Sequence, residues 1–126
     1  MKDLTKAEEQ IMMILWKIGK GFVKDILGHF DDPKPAYNTV STIVRILQDK
    51  GFVKHKAYGR THQYYPVISK TEYSKMHLGT FINSYFSNSF EQMVSFFAHE
   101  KQISVKEMEE ILKLMSKEIE KQKGKR

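Results

Sequence analysis

Apolar residues recur at helical spacing near the start of the chain, where Ala7, Ile11, Ile14, Leu15 and Ile18 fall on one face. Ahead of them, Thr5-Lys6-Ala7-Glu8 has the form of a capping box, in which a hydroxyl and a carboxylate satisfy orphan amides at a helix start. Gly19 offers a left-handed stop behind them. The pattern predicts a helix over 6–18 with Trp16 in its core. A short second helix is expected from Val23 to Phe30, closed by Asp31-Asp32-Pro33-Lys34-Pro35, where two prolines exclude helix. Val40, Ile43, Val44 and Leu47 then stand at i, i+3, i+4 and i+7, and Gly51 ends this third helix. Turning about 100° per residue, its opposite face collects Asn38, Ser41, Thr42, Arg45 and Asp49.

Beyond Gly51 the period changes. Phe52 to Lys56 and Thr61 to Tyr65 are β-branched and aromatic runs separated by Ala57-Tyr58-Gly59-Arg60, which reads as a hairpin with a glycine-containing turn. Three helices followed by a hairpin is the order of a winged helix-turn-helix. Helix returns after Pro66 behind three further capping signatures, Ser69 to Glu72, Ser89 to Gln92 and Ser104 to Glu107. The apolar stripes behind them are Leu78, Phe81, Ile82, Tyr85 and Phe86, then Phe90, Met93, Val94 and Phe97, then Met108, Ile111, Leu112, Met115 and Ile119. Three short amphipathic helices without a sheet make a poor monomeric core, so a second subunit is the natural place to bury them. The expected fold is mainly α with a β wing: a winged helix-turn-helix over 1–68 and a helical dimerisation domain over 69–126, with a frayed basic tail from Lys121 to Arg126.

Composition narrows the function. The 126 residues are 40% hydrophobic and 29% charged, a globular balance, and allow little beyond one small domain and an oligomerising appendage. No apolar run is long enough to span a bilayer and the first ten residues carry no secretory signal, so a cytoplasmic protein without direct membrane binding is expected. The absence of cysteine excludes thiolate metal sites and a cysteine nucleophile. A net charge of +6 favours a polyanionic partner, and Lys50 to Pro66 holds Lys50, Lys54, Lys56 and Arg60 without one acidic residue.

The third helix suits a DNA major groove, because Asn and Arg make bidentate hydrogen bonds to base edges while Ser and Thr reach bases or phosphates. Asn38, Thr39, Ser41, Thr42 and Arg45 are therefore the expected reading residues, although Asn38 also suits a helix cap and Arg45 a solvated surface. Lys54 and Lys56 share one strand face and Arg60 sits at the turn, positions fit for phosphate contacts, or alternatively for protecting an edge strand. Tyr58, Tyr64 and Tyr65 could stack on bases but fit wing packing better. The five histidines form no close pair on any expected helix, which disfavours zinc, and no Gly-rich phosphate loop or nucleophile elbow is present. Neither a catalytic constellation nor a cofactor is expected. The same pattern admits a second reading, a winged-helix protein-interaction module that does not read DNA sequence.

The segments LTKAEEQIMMILW, YNTVSTIVRILQDKGFV and GRTHQYYPV resemble the penicillinase-repressor family of bacterial winged-helix regulators. Members of that family begin with a Glu-containing helix ending in Trp, and the likeness runs on through the Lys50-Gly51 pair to about Leu114. The resemblance implies a homodimer joined through the C-terminal helices, each subunit placing its third helix in one half of a palindromic operator. It also implies release through a membrane-bound sensor with a metalloprotease domain, which triggers cleavage in the dimerisation segment, commonly at an Asn-Phe bond. Met93 to Phe97 occupies that region with Ser95 where Asn would stand, making Ser95-Phe96 the candidate bond, against a plain packing helix. Family members usually carry Arg at the position of Ile46, whereas this chain has Arg45. The copper-responsive branch uses C-terminal cysteines, so copper sensing by that route is excluded here.

Overall fold

The computed structural model describes residues 3–124. Helix α1 (Lys6–Ile18) turns Ile11, Met12 and Leu15 wholly inward, and the residue that continues this face toward the N-terminus is Glu8, only 5% exposed. Ala7, expected in the stripe, lies exposed one step around the helix. A buried carboxylate must be matched. Glu8 Oε1 accepts from the Thr5 backbone N–H at 2.9 Å and from Lys50 Nζ at 2.6 Å, while Thr5 Oγ1 accepts from the Glu8 N–H at 3.2 Å, completing the capping box. Lys50 Nζ also donates to the Asp3 carbonyl at 3.2 Å.

Lys50 is the C-cap of helix α3 (Tyr37–Asp49), just before the chain reverses. Gly51 takes φ 86°, its N–H donates to the Gln48 carbonyl at 3.0 Å, and the Phe52 N–H donates to the Leu47 carbonyl at 3.0 Å. That is a Schellman ending, which requires the left-handed φ that glycine adopts without strain. Phe52 and Leu47, the apolar pair of the motif, are both fully buried.

Between α1 and α3, helix α2 (Val23–Gly28) starts with the Phe22 N–H donating to Asp25 Oδ2 at 2.9 Å. It stops two residues short of the expected Phe30. His29 and Phe30 bond back by only three residues, and Lys34 Nζ donates to the Leu27 and Gly28 carbonyls at 3.4 and 3.2 Å. Those contacts satisfy the helix end that the proline-rich segment leaves open.

Strand β1 (Val53–Tyr58) pairs antiparallel with β2 (Thr61–Pro66), in a register running from Val53 opposite Pro66 to Tyr58 opposite Thr61. The turn is therefore Gly59-Arg60, shorter than the four residues expected, because Ala57 and Tyr58 stay in the ladder. Gly59, at φ 63°, fills the position that a two-residue hairpin gives to glycine. On its other edge β2 is held by Gly21, which exchanges two backbone hydrogen bonds with Tyr64 at 2.9 and 2.8 Å. Val53 and Tyr64 enter the core from the inward face of the hairpin.

Trp16, expected in the core, lies half-buried at its edge. Its indole Nε1 donates to the Ile68 carbonyl at 2.9 Å, and its ring stands 5.6 Å from that of Tyr73. Tyr73 in turn meets Phe52 edge-on at 5.8 Å. The first compact unit extends to Met76, so the division falls within helix α4 (Lys70–Phe86), later than the expected boundary at residue 68.

The second unit starts at His77 and comprises the remainder of α4, helix α5 (Phe90–His99) and helix α6 (Val105–Lys123). The caps fall where the sequence places them: Ser89 Oγ accepts from Gln92 N–H at 3.1 Å, and Ser104 and Glu107 form a full capping box. Ser69 accepts from Glu72 N–H at 3.0 Å at the head of α4. The expected fraying from Lys121 is not found, since α6 runs to Lys123 with Gly124 as its cap; Lys125 and Arg126 lie outside the described residues.

Among the described residues of this unit only Ile82 is buried. Phe86, Met93, Phe97 and Met108 are half-buried, and a chain of ring contacts links Tyr85, Phe81, Phe86, Phe96 and Phe97 at centroid distances of 5.0 to 5.9 Å. Leu78, Phe81, Tyr85, Phe90, Val94, Ile111, Leu112, Met115 and Ile119 remain exposed, Leu112 by 67%.

Burial pushes the Glu8 carboxyl up, but the hydrogen bonds and charge of Lys50 together with the Thr5 contacts outweigh it and hold the group below its ordinary value of 4.5. A depressed carboxylate stabilises the fold above its unfolded pKa and ceases to do so as pH falls through the folded value. Glu8→Gln should therefore cost roughly 1–3 kcal/mol at pH 7 in denaturant titrations, and the gap to the unmodified protein should close on acidification below about pH 4.5.

Candidate nucleic-acid interface

Three inward residues, Val40, Val44 and Leu47, are fully buried and so fix the rotation of α3. Ala36 is its N-cap, with extended backbone and no side-chain bond, which leaves Asn38 as the exposed second residue rather than a cap. Thr39, Thr42 and Arg45 are exposed and Ser41 half-buried. Arg45 Nε donates back to the Ser41 carbonyl at 3.4 Å, a long bond that leaves the guanidinium free to turn outward. Ile46 is 38% exposed.

A hollow of about 520 Å³ opens where the start of α2, the outer face of α3 and the tip of the hairpin converge. It brings together Ser41 and Arg45 from the helix and Arg60 from the wing turn, with Lys24, Tyr37 and His62 beside them. Among the described residues no carboxylate lines it, so three fixed cations face one concave surface. The sequence pattern does not single out Lys24, Tyr37 or His62 for this site. Lys24 is a surface lysine at a short helix and joins the group only through tertiary packing. Tyr37 is 52% exposed at the first turn of α3, and its place beside the polar face was the available signal.

Asn38, Thr39 and Thr42 stand on the exposed side of α3 without lining the hollow, and the hairpin lysines also lie outside it. Lys56 Nζ is held 5.4 Å over the Tyr58 ring, and Tyr58 packs edge-on against Phe22 at 5.7 Å. Lys54 is exposed beside a smaller depression shared with Gln48, His55 and Tyr65. Of the three wing tyrosines, Tyr64 alone is core; burial pushes its phenol up, Arg45 draws it back and Tyr37 adds to the rise. Tyr64 is thus a neutral hydroxyl beside the cations.

The wing is joined to α3 by side chains as well as by the chain. His55 Nδ1 donates to Gln48 Oε1, and the His55 ring stacks on His62 with centroids 4.0 Å apart and planes 8° from parallel. In the second unit, Ser95 and Phe96 are exposed on the interior of α5 and border a shallow depression with Glu91, Gln92 and His99.

A third helix with a polar outer face, flanked by a basic two-stranded wing, defines the winged helix-turn-helix class. The chain belongs to the penicillinase repressor family, whose model, described as "Penicillinase repressor", matches residues 4–117. It is similar to the methicillin resistance regulatory protein MecI of Staphylococcus aureus strain N315, 24% identical over 116 residues, covering 91% of this chain and 94% of the relative. The penicillinase repressor of Bacillus licheniformis is 23% identical over 114 residues, covering 90% and 89%. Among solved structures, the DNA-binding domain of the repressor BlaI aligns over 58% of this chain and 94% of its own, with 25% identity and a TM-score of 0.49.

Proposed function

We propose that this chain is a sequence-specific DNA-binding transcriptional repressor of the cytoplasm, acting as a homodimer on a palindromic operator. The observation that carries the reading is the carboxylate-free hollow in which Ser41 and Arg45 of α3 meet Arg60 of the wing. A helix side chain that reaches base edges needs its neighbours to hold phosphates, and cations on both sides of the polar face meet that need. Asn38, Thr39 and Thr42 extend the reading face, and Lys54 and Lys56 extend the phosphate face. Membership of a repressor family and relatives named as resistance regulators support the same assignment. Among the described residues no helix is long and apolar enough to cross a membrane.

Arg45→Ala should cost roughly 1–3 kcal/mol at selected base positions, while Lys56→Ala should weaken all duplexes alike and lower the salt dependence. Fluorescence anisotropy against a duplex from the gene's own upstream region and a scrambled duplex reads both. Equal affinity of the unmodified protein for the two duplexes would overturn the assignment.

The exposed stripes of α4, α5 and α6 support the homodimer, since burying a large apolar side chain gains about 1.5–3 kcal/mol. Sedimentation of the full chain should give twice the mass of one subunit, and Leu112→Glu should shift the population toward monomer. A full-length protein that stays monomeric at micromolar concentration would remove the dimer.

Relief of repression is assigned to a membrane-bound sensor metalloprotease pathway that cuts at Ser95-Phe96. The bond sits within α5, where the Phe96 carbonyl accepts from Glu100 N–H at 2.9 Å, and a protease takes its substrate extended. Cleavage therefore requires α5 to open locally, which its exposed, sparsely packed helix favours. Mass spectrometry of the repressor from cells exposed to a β-lactam should find fragments ending at Ser95; full derepression with intact protein would exclude this route.

A further inference from the structure

His62 lies on β2, exposed, and lines the same hollow as Lys24 of α2, Arg45 of α3 and Arg60 of the wing turn. Its ring is stacked on His55 at 4.0 Å, and His55 is fixed in turn by its hydrogen bond to Gln48 on α3. Tyr64 packs against both rings at 5.6 and 6.2 Å and closes the inner side of the pair. Lys54 and Tyr65 are the titratable neighbours of His55 on its other side, and Tyr37 completes the group around His62.

Imidazole is the side chain whose charge changes between pH 5 and 8. Gln48 Oε1 can only accept, so the His55 Nδ1 carries the proton that bonds it and the ring is held in orientation. Two stacked imidazoles share one charge readily, since a neutral ring face receives a neighbouring cation, but two positive rings repel. Lys24, Arg45 and Arg60 line the hollow and, among the described residues, no carboxylate does, so its field is positive. A phosphate placed there reverses the sign of that field.

We propose that His62 is a proton-gated phosphate contact, held by its stack on the Gln48-latched His55 and charged when DNA backbone enters the hollow, so that duplex affinity rises as pH falls. The proposal rests on the DNA-binding reading above and adds a residue and a regulation to it. By linkage, a proton taken up on binding strengthens affinity by at most about tenfold for each pH unit.

Duplex affinity of the full chain is measured by anisotropy from pH 8 to pH 6 at constant salt. The unmodified protein should gain affinity across this range. His62→Phe, which keeps an aromatic ring for the stack, and His62→Gln, which does not, should both lose most of that gain. His29→Gln, at the far end of α2, should retain it. A slope that survives both His62 variants, or an unmodified protein with no slope, would overturn this proposal while leaving DNA binding intact. Failure to bind any duplex would remove both readings together.

Discussion

Everything in the first unit turns on how the chain leaves its third helix. Within three residues, Lys50 reaches Glu8 at the head of α1, Gly51 reverses the backbone and Phe52 plunges into the core. A carboxylate at that position would be untenable without the ammonium, and the ammonium is placed by the Schellman turn. Because β1 starts at Val53, the same turn sets where the hairpin departs. The angle between α3 and the wing is therefore fixed by a packed, charged joint rather than by loop preference, and the His55–Gln48 bond repeats that connection farther out.

The two units follow opposite strategies. The first closes its own core around α1, α2, α3 and the hairpin, with a second backbone pairing from Gly21 to seal the wing. The second buries one residue among those described and displays aliphatic and aromatic side chains along three capped helices. Its helices are well started and ring contacts tie α4 to α5, yet most of the large apolar side chains described there stay exposed. Contiguous exposed apolar surface of this kind is typical of interaction sites, which is the basis of the proposed homodimer.

Much of the first unit is legible in sequence because its signals are local. The capping box at Thr5, the i, i+3, i+4, i+7 stripe of α3 and the change of period after Gly51 each depend on neighbours within a turn or two. What escaped was set by distant contacts. The end of α2 at Gly28 is determined by Lys34 folding back onto its carbonyls. Glu8 reads as a cap residue, but its burial follows from a lysine 42 positions away. Ala7 and Glu8 both fit the first turn, and only packing against α3 decides which faces inward. Of the interface, Ser41, Arg45 and Arg60 were legible as chemistry on named elements; Lys24 and His62 were not, because only tertiary convergence puts them in one hollow. The hairpin turn is two residues shorter than the sequence suggests, since Ala57 and Tyr58 carry no signal separating the last ladder pair from the loop.

Trp16 is the sole tryptophan of the chain, and its indole bonds the carbonyl of Ile68 where the wing hands over to α4. That placement makes it an intrinsic optical reporter of a single seam. Its ring is half-buried against Tyr73, so both its emission maximum and its quenching should follow the docking of 68–73 onto α1, with no label introduced. The seam can be watched separately from α3, which contains no tryptophan, and from the apolar stripes of the second unit.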